Sequence, residues 1–231
     1  MKASNCNKLS FISTLVLITA IAAPQIAAAQ GQQAAEEPLQ MGFFVTSVGV
    51  GNGGDLGGLK GADAHCQALA ESAGAGHRSW RAYLSTQATD SDAAVDARDR
   101  IGAGPWANAK GVVMAASLDD LMYNNANLHY ANSLDENGET VNSAASGDEP
   151  NRHDILTGTE LDGTAPDGDE DLTCGNWTSD SDGKALVGHH DRFRRTTPGS
   201  PWNNAHPSRG CSQSELQATG GDGLFYCFAA D

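Results

Sequence analysis

The stretch between Cys174 and Cys227 constrains the fold more than any other part of the sequence. It holds three of the five cysteines of the chain, including Cys211, and a fourth lies upstream at Cys66. In an exported protein an even number of cysteines favours a disulfide framework, which here would consist of two bridges. Four cysteines allow three pairings, and the residues alone do not choose among them.

Residues 1–29 have the pattern of a secretory signal peptide. Lys2 and Lys8 form a positive n-region, and residues 9–23 form an apolar segment that is too short to span a bilayer comfortably. The small residues at 27–29 are what a signal peptidase requires, so cleavage is expected after the last of them. The alternative is an anchoring helix. Cleavage would remove the fifth cysteine and give a protein that is secreted, periplasmic or held at the cell surface.

The rest of the chain is strongly acidic. The formal net charge is −15 at pH 7, and loss of the two lysines of the signal segment makes it more negative. Such a surface repels nucleic acid and anionic lipid, so nucleic-acid partners are excluded. No apolar run after residue 29 is long enough for membrane insertion. Residues 30–40 predict a flexible lead-in, and residues 41–231 suit one domain.

Hydrophobic periodicity predicts a few helices and several short strands. Apolar residues recur at helical spacing over residues 59–73 and Gly74 is placed to end that helix, while residues 92–101 predict a second, short helix. Residues 142–171 are rich in Gly, Asp, Ser, Asn and Pro and predict a long loop region. The early part of the chain therefore carries two helices, and the C-terminal half is loop-rich. Short strands are predicted at 41–50, 80–85, 111–116 and 154–159.

Several segments, taken in order, resemble the endostatin-like branch of the C-type lectin-like fold, which includes secreted bacterial relatives. They are Gly-Ala-Asp-Ala-His-Cys-Gln at 61–67, Arg-Ala-Tyr-Leu-Ser at 81–85, Leu-Thr-Gly-Thr at 156–159, Cys-Gly-Asn-Trp-Thr-Ser at 174–179 and Leu-Phe-Tyr-Cys at 224–227. The resemblance implies a compact α+β domain with short antiparallel strands, in which the N- and C-terminal strands lie side by side. It also implies nested disulfides, Cys66–Cys227 and Cys174–Cys211.

The chain departs from the animal members of that branch in two respects. Those members have basic heparin-binding surfaces and an N-terminal zinc site. This chain is acidic, and no histidine precedes Phe43. Neither property is therefore expected here.

An acidic loop provides the best metal-like spacing in the sequence. Asp167, Asp169 and Asp171 place carboxylates at alternate positions, as in calcium loops. Leu172 and Thr178 stand where an EF-hand requires glycine and glutamate, so the segment is not an EF-hand. The alternative is a solvated acidic loop. Calcium is the favoured ion because the histidines and cysteines show no zinc-like spacing.

Candidate ligand-binding residues lie on either side of this loop. Trp106 and Trp202 are suited to stacking on sugar rings. The segment from Trp202 through Asn203 to Asn204 resembles the second calcium motif of sugar-binding C-type lectins, and residues 149–151 spell their Glu-Pro-Asn motif. About 23 residues separate Asn151 from Cys174, far more than in the lectins, and Asn204 stands where they have a ligating aspartate. A chance tripeptide is therefore the alternative.

The run from His189 through His190 to Asp191 offers two further readings. His190 is a candidate ligand-binding residue on a surface loop. Alternatively, His189 or Asp191 would be a catalytic residue of a hydrolase. No nucleophile elbow or spare cysteine accompanies them, so no enzyme is predicted. The leading prediction is a secreted binding module that recognises a glycan or a cell-surface protein through its loop face, with or without calcium. The alternative is a structural or adhesion component of the cell envelope.

Overall fold

The computed structural model describes residues 39–124, 127–192 and 201–231. The predicted signal peptide and most of the predicted lead-in lie outside the described residues. Within them the chain has a mixed α+β architecture of three α-helices and eight short strands. The helices are α1 (Gly58–Ser72), α2 (Cys174–Trp177) and α3 (Gln213–Thr219), and the strands are β1 (Phe43–Val45), β2 (Trp80–Ala82), β3 (Trp106–Ala107), β4 (Val113–Ala115), β5 (Asp154–Leu156), β6 (Leu186–His189), β7 (His206–Pro207) and β8 (Gly221–Ala229).

The strand β8 is the centre of the main sheet. The strand order is β1-β8-β5-β6-β7, with β2 also paired to β8, and β3 and β4 form a separate two-stranded sheet. The first and last strands lie side by side, with Phe44 opposite Cys227. The pairing of β5 with β8 is parallel, so the prediction of antiparallel strands is wrong for this pair. A long crossover between β5 and β8 makes that arrangement accessible.

The first predicted helix is confirmed. Ala62, Cys66 and Ala70 form the buried stripe of α1, at the spacing that places them on one face. Gly74, with a φ of 80°, lies just beyond the end of the helix. A left-handed residue there is typical of a helix C-terminus and favours glycine.

The prediction of a second helix at residues 92–101 is wrong. The segment contains only a single turn of 3₁₀ helix, at Ala97–Asp99. Val95 instead pairs with Thr86 in a β-bridge, and the backbone amide of Ala97 donates to the hydroxyl of Ser85. These bonds hold the segment extended against the core before a helix can begin.

The helix α3 was not predicted, although its start signal is present in the sequence. Ser212 caps the helix by accepting from the amide of Glu215, and the carboxylate of Glu215 accepts from the amide of Ser212 in return. This reciprocal pair is the capping box of the pattern Ser-x-x-Glu. Gly220 ends the helix with a φ of 103°.

Two disulfides join the elements in the nested order that the resemblance implies. Cys66–Cys227 ties α1 to β8, and Cys174–Cys211 closes a loop with a sequence separation of 37 residues. All four cysteines are fully buried. In the described ranges no helix has both the length and the apolar character that a membrane span requires.

Candidate metal centre

Three neighbouring strands bring an aspartate and two histidines to one end of the main sheet. Asp154 of β5 lies directly opposite His189 of β6. His206 of β7 lies opposite Val187, two residues before His189. Because residues two apart in a strand point to the same side, His189 and His206 share a face. His153 comes immediately before β5 and completes the group.

The imidazole Nε2 atoms of the three histidines surround one carboxylate oxygen. Asp154 Oδ1 lies 3.2 Å from His153 Nε2 and 3.1 Å from His189 Nε2. The same oxygen lies 3.5 Å from His206 Nε2. His189 Nε2 and His206 Nε2 are 3.1 Å apart. His153, Asp154 and His189 each offer a ligand atom within 4.8 Å of the others.

The Asp154 carboxylate is buried without hydrogen bonds. Its side chain is only 1% exposed, and neither oxygen has a hydrogen-bond partner among the described residues. The nearby ring nitrogens therefore approach Oδ1 without the alignment of a hydrogen bond. A buried carboxylate needs a compensating positive charge, which a bound cation or a protonated imidazole supplies.

The other ring nitrogens determine where the imidazole lone pairs point. His153 Nδ1 lies 3.2 Å from Asp191 Oδ2, and His206 Nδ1 lies 3.0 Å from the carbonyl oxygen of Pro207. A carboxylate and a carbonyl only accept, so each Nδ1 carries the proton. In the neutral rings Nε2 then presents a lone pair toward Asp154. Lone pairs facing a carboxylate repel it unless a cation lies between them or a ring takes up a second proton.

The charge states around the centre follow from burial and hydrogen bonding. Burial alone would raise the pKa of Asp191, but hydrogen bonds from His153 and Ser143 outweigh it and lower the pKa to about 2. The hydrogen bond to Asp191 raises the pKa of His153 against the opposing effect of burial. Burial lowers the pKa of His190 to about 4. Asp191 is therefore ionised and His190 neutral at pH 7.

The centre is open to solvent on one side. The side chain of His206 is 38% exposed and that of His153 is 22% exposed, against 12% for His189. Gly220 leaves room for the His153 ring, since a Cβ at this position would lie 3.0 Å from Nε2. An ion can therefore reach the site from outside the folded domain.

The donor set fits an ion of the zinc class. A tetrahedron with metal–ligand distances of about 2.0–2.1 Å has ligand–ligand separations of about 3.3 Å. Four of the six separations among the four ligand atoms lie between 3.1 and 3.5 Å. The group whose ligand atoms all lie within 4.8 Å of one another consists of His153, Asp154 and His189. Calcium takes about 6–8 oxygen ligands, whereas this site offers three imidazole nitrogens and one carboxylate.

The prediction that Trp106 and Trp202 stack on sugar rings is wrong. Trp106 and Trp202 are each 1% exposed. The indole of Trp106 donates to the carbonyl of Ala229, and Trp202 packs between the rings of Tyr83 and Tyr226. Both tryptophans belong to the aromatic core beneath the loops and have no free face for a sugar.

The remaining predicted ligand-binding residues separate into buried and accessible positions. Asn203 is 1% exposed, and its amide donates to the hydroxyl of Tyr83, so its placement on a binding surface is wrong. His190 is fully buried, which also overturns its placement on a surface loop. Asn204 is partly exposed and donates to Glu160 Oε2. Its role in ligand binding stays a prediction.

The three predicted calcium ligands do not converge. Asp167 and Asp169 are exposed, and neither joins a group of three ligand atoms in the described part of the chain. Asp171 accepts from the amides of Thr173 and Gly175. The Asp171 carboxylate therefore holds the backbone at the start of α2.

Sequence reasoning missed the centre because its ligands come from three separate strands. No local pattern singles out His153 or His206 as a ligand, and the adjacent histidines at 189 and 190 predict a surface loop. Alternation along β6 was the available signal, since adjacent residues of a strand point to opposite faces. His189 therefore faces the centre, while His190 packs toward Tyr130 and the carbonyl of Asn142.

Two comparisons of the sequence with known proteins give no match. A scan against protein-family models matched none of them, and a search of curated proteins found no similar sequence. The functional conclusion therefore depends on the geometry of the centre.

Proposed function

We propose that this chain is an exported metal-binding domain that holds a divalent ion of the zinc class. The ligands are His153 Nε2, His189 Nε2, His206 Nε2 and a carboxylate oxygen of Asp154. The observation that carries the proposal is the buried Asp154 carboxylate, without a hydrogen bond and with three imidazole nitrogens within 3.5 Å. The predicted signal peptide and the two disulfides support export.

Four protein ligands give the ion a closed coordination shell. Structural zinc sites are closed and four-coordinate, whereas catalytic zinc sites keep one position open for water or substrate. The site joins β5, β6 and β7, so a bound ion ties the edge strand β7 to the interior of the sheet. The proposal includes no enzymatic activity.

Zinc affinity tests this proposal directly. The purified oxidised protein is titrated with zinc in competition with a chromophoric chelator, beside Asp154→Asn and the control His77→Ala. His77 is an exposed histidine that bonds to Gln40, so the control removes an imidazole outside the centre. We expect one zinc ion per chain in the wild type and the control, and at least a 100-fold loss of affinity in Asp154→Asn. Equal affinity in all three proteins would contradict the proposal.

A second candidate function is recognition of a glycan or a cell-surface protein by a C-type lectin-like module, with or without calcium. The nested disulfides and the adjacent terminal strands support the resemblance to that fold. A groove of about 490 Å³ favours this function, because it lies at the predicted loop face. Polar residues dominate its lining, among them Gln87, Thr89, Asp169, Asp171 and Asn176.

A glycan array distinguishes the two candidates. Binding is measured with calcium, with zinc and with chelator. Sugar binding that requires calcium supports the lectin-like function and places the ion outside the histidine centre. Zinc binding without any sugar affinity, combined with zinc-dependent assembly of the protein, supports the structural or adhesion role in the cell envelope.

A further inference from the structure

We infer that Asp191 is a positioning residue of the metal centre and that Ser143 orients it. This inference rests on the proposed metal binding. Asp191 lies two residues beyond His189, at the end of β6, and its side chain is only 7% exposed. It is not itself a ligand, because its oxygen contacts the far side of the His153 ring.

The Asp191 carboxylate fixes the tautomer of His153. Oδ2 lies 3.2 Å from His153 Nδ1. A neutral imidazole has one N–H group, and a carboxylate only accepts, so the proton resides on Nδ1. The lone pair of Nε2 is then available to the ion beside Asp154. Metal-bound histidines characteristically donate their second N–H to such a partner.

Ser143 holds the Asp191 carboxylate in the position from which it accepts the hydrogen bond of His153 Nδ1. The hydroxyl of Ser143 donates to Oδ2, the same oxygen that accepts from His153. The hydroxyl oxygen in turn accepts from the amide of Ala145, so its own orientation is set by the backbone. Ser143 is fully buried, and water does not compete for this contact.

His153 needs a side-chain partner more than His206 does. The second nitrogen of His206 is bonded to the carbonyl of Pro207, which belongs to the next residue and moves with the strand. His153 precedes β5 and is partly exposed, so its ring depends on a contact from another part of the chain. Asp191 supplies that contact across a sequence separation of 38 residues.

The zinc affinities of Asp191→Asn, Ser143→Ala and the control Asp162→Asn test the inference. Asp162 is a carboxylate that bonds within its own loop to Thr164. Loss of a second-shell partner typically weakens metal binding about 10–100-fold. We expect a loss in that range for Asp191→Asn, a smaller loss for Ser143→Ala and no change for the control.

A double-mutant cycle separates positioning from a general effect on the fold. Because Asp191 acts through the His153 ring, Asp191→Asn should weaken zinc binding in the wild type and have no further effect in a His153→Ala background. An equal loss in both backgrounds would show a general structural effect and overturn the inference. Unchanged affinity of Asp191→Asn beside a zinc-binding wild type would overturn this inference alone. A wild type that binds no zinc would overturn the proposed function as well.

The tautomer can also be read without any variant. Long-range ¹H–¹⁵N correlation spectra of the wild type report which nitrogen of His153 carries the proton. We expect the proton on Nδ1, both in the zinc-free protein at a pH where the His153 ring is neutral and in the zinc-loaded protein. A proton on Nε2 of neutral His153 would contradict the positioning role, even if Asp191→Asn failed to fold.

Discussion

The two halves of this domain are stabilised by different means. Around α1 and the sheet, apolar side chains pack in a continuous core that includes Phe44, Trp80 and Leu84. Around β6 and β7 the chain is mostly loop, and polar residues such as Asp154 and Thr157 are buried beside apolar ones such as Val187. Covalent or metal links add stability to a region that is rich in loops and buries polar groups. We therefore expect the disulfides and a bound metal to contribute differently to the stability of the two halves.

The largest expected effect is loss of the outer disulfide. Replacing Cys66 and Cys227 by alanine opens a bridge with a sequence separation of 161 residues. The chain-entropy model gives about 5 kcal/mol for a loop of this size, against about 4 kcal/mol for the inner bridge, Cys174–Cys211. Denaturant unfolding of the two double variants measures both free energies. A larger loss for the inner bridge would show that strain or residual structure, and not loop length, dominates.

The inner bridge should matter more for the metal centre. Both His189 and His206 lie inside the loop that Cys174–Cys211 closes. Zinc at 100 times its dissociation constant should add about 2.7 kcal/mol to the free energy of unfolding of the wild type. We expect a smaller gain when the inner bridge is removed and a nearly full gain when the outer bridge is removed. Thermal melting of each variant with and without zinc measures these gains in stability. Equal gains in the two disulfide variants would contradict the prediction.

A smaller effect is expected at the start of α3. The Ser212→Ala substitution removes the side chain that accepts from the Glu215 amide and should cost about 1 kcal/mol. Ser181→Ala, at an exposed serine outside the helix, is the control. Chemical denaturation of the two variants should show a loss only for Ser212→Ala. Equal losses would mean that the capping box does not stabilise the domain.

The smallest effect is a pH dependence of this cap. Hydrogen bonds from Ser212 lower the pKa of Glu215 below its ordinary value of 4.5. A lowered pKa in the folded state stabilises the fold above pH 4.5, and this contribution disappears as the pH falls through the folded-state value. The stability difference between wild type and Glu215→Gln should therefore shrink on acidification below pH 4.5. A difference that stays constant down to pH 2 would contradict the charge-dependent part of the cap.

The sequence predicts the apolar half of the domain better than the polar half. Helical spacing located α1 because Ala62, Cys66 and Ala70 all face the core. The predicted exposure of Trp106 and Trp202 is wrong because residue type alone does not determine burial. Trp202 packs in the aromatic core although polar residues flank it in the sequence.

The metal centre could not be predicted because it depends on strand register. Nothing in the local sequence aligns Asp154 with His189 or brings His206 beside them. The parallel pairing of β5 with β8 fixes where β5 lies in the sheet, and that pairing is set by the tertiary fold. A search for histidines on alternating strand positions would have singled out His189 but not its partners.

The most direct measurement is X-ray absorption at the zinc edge of the protein loaded with one equivalent of zinc. We predict four nitrogen or oxygen ligands at about 2.0–2.1 Å, with the multiple-scattering signature of three imidazoles. Asp154→Asn should lose this signal, and His77→Ala should keep it. A spectrum with one imidazole or none, or the same spectrum in Asp154→Asn, would contradict a centre built from His153, Asp154, His189 and His206.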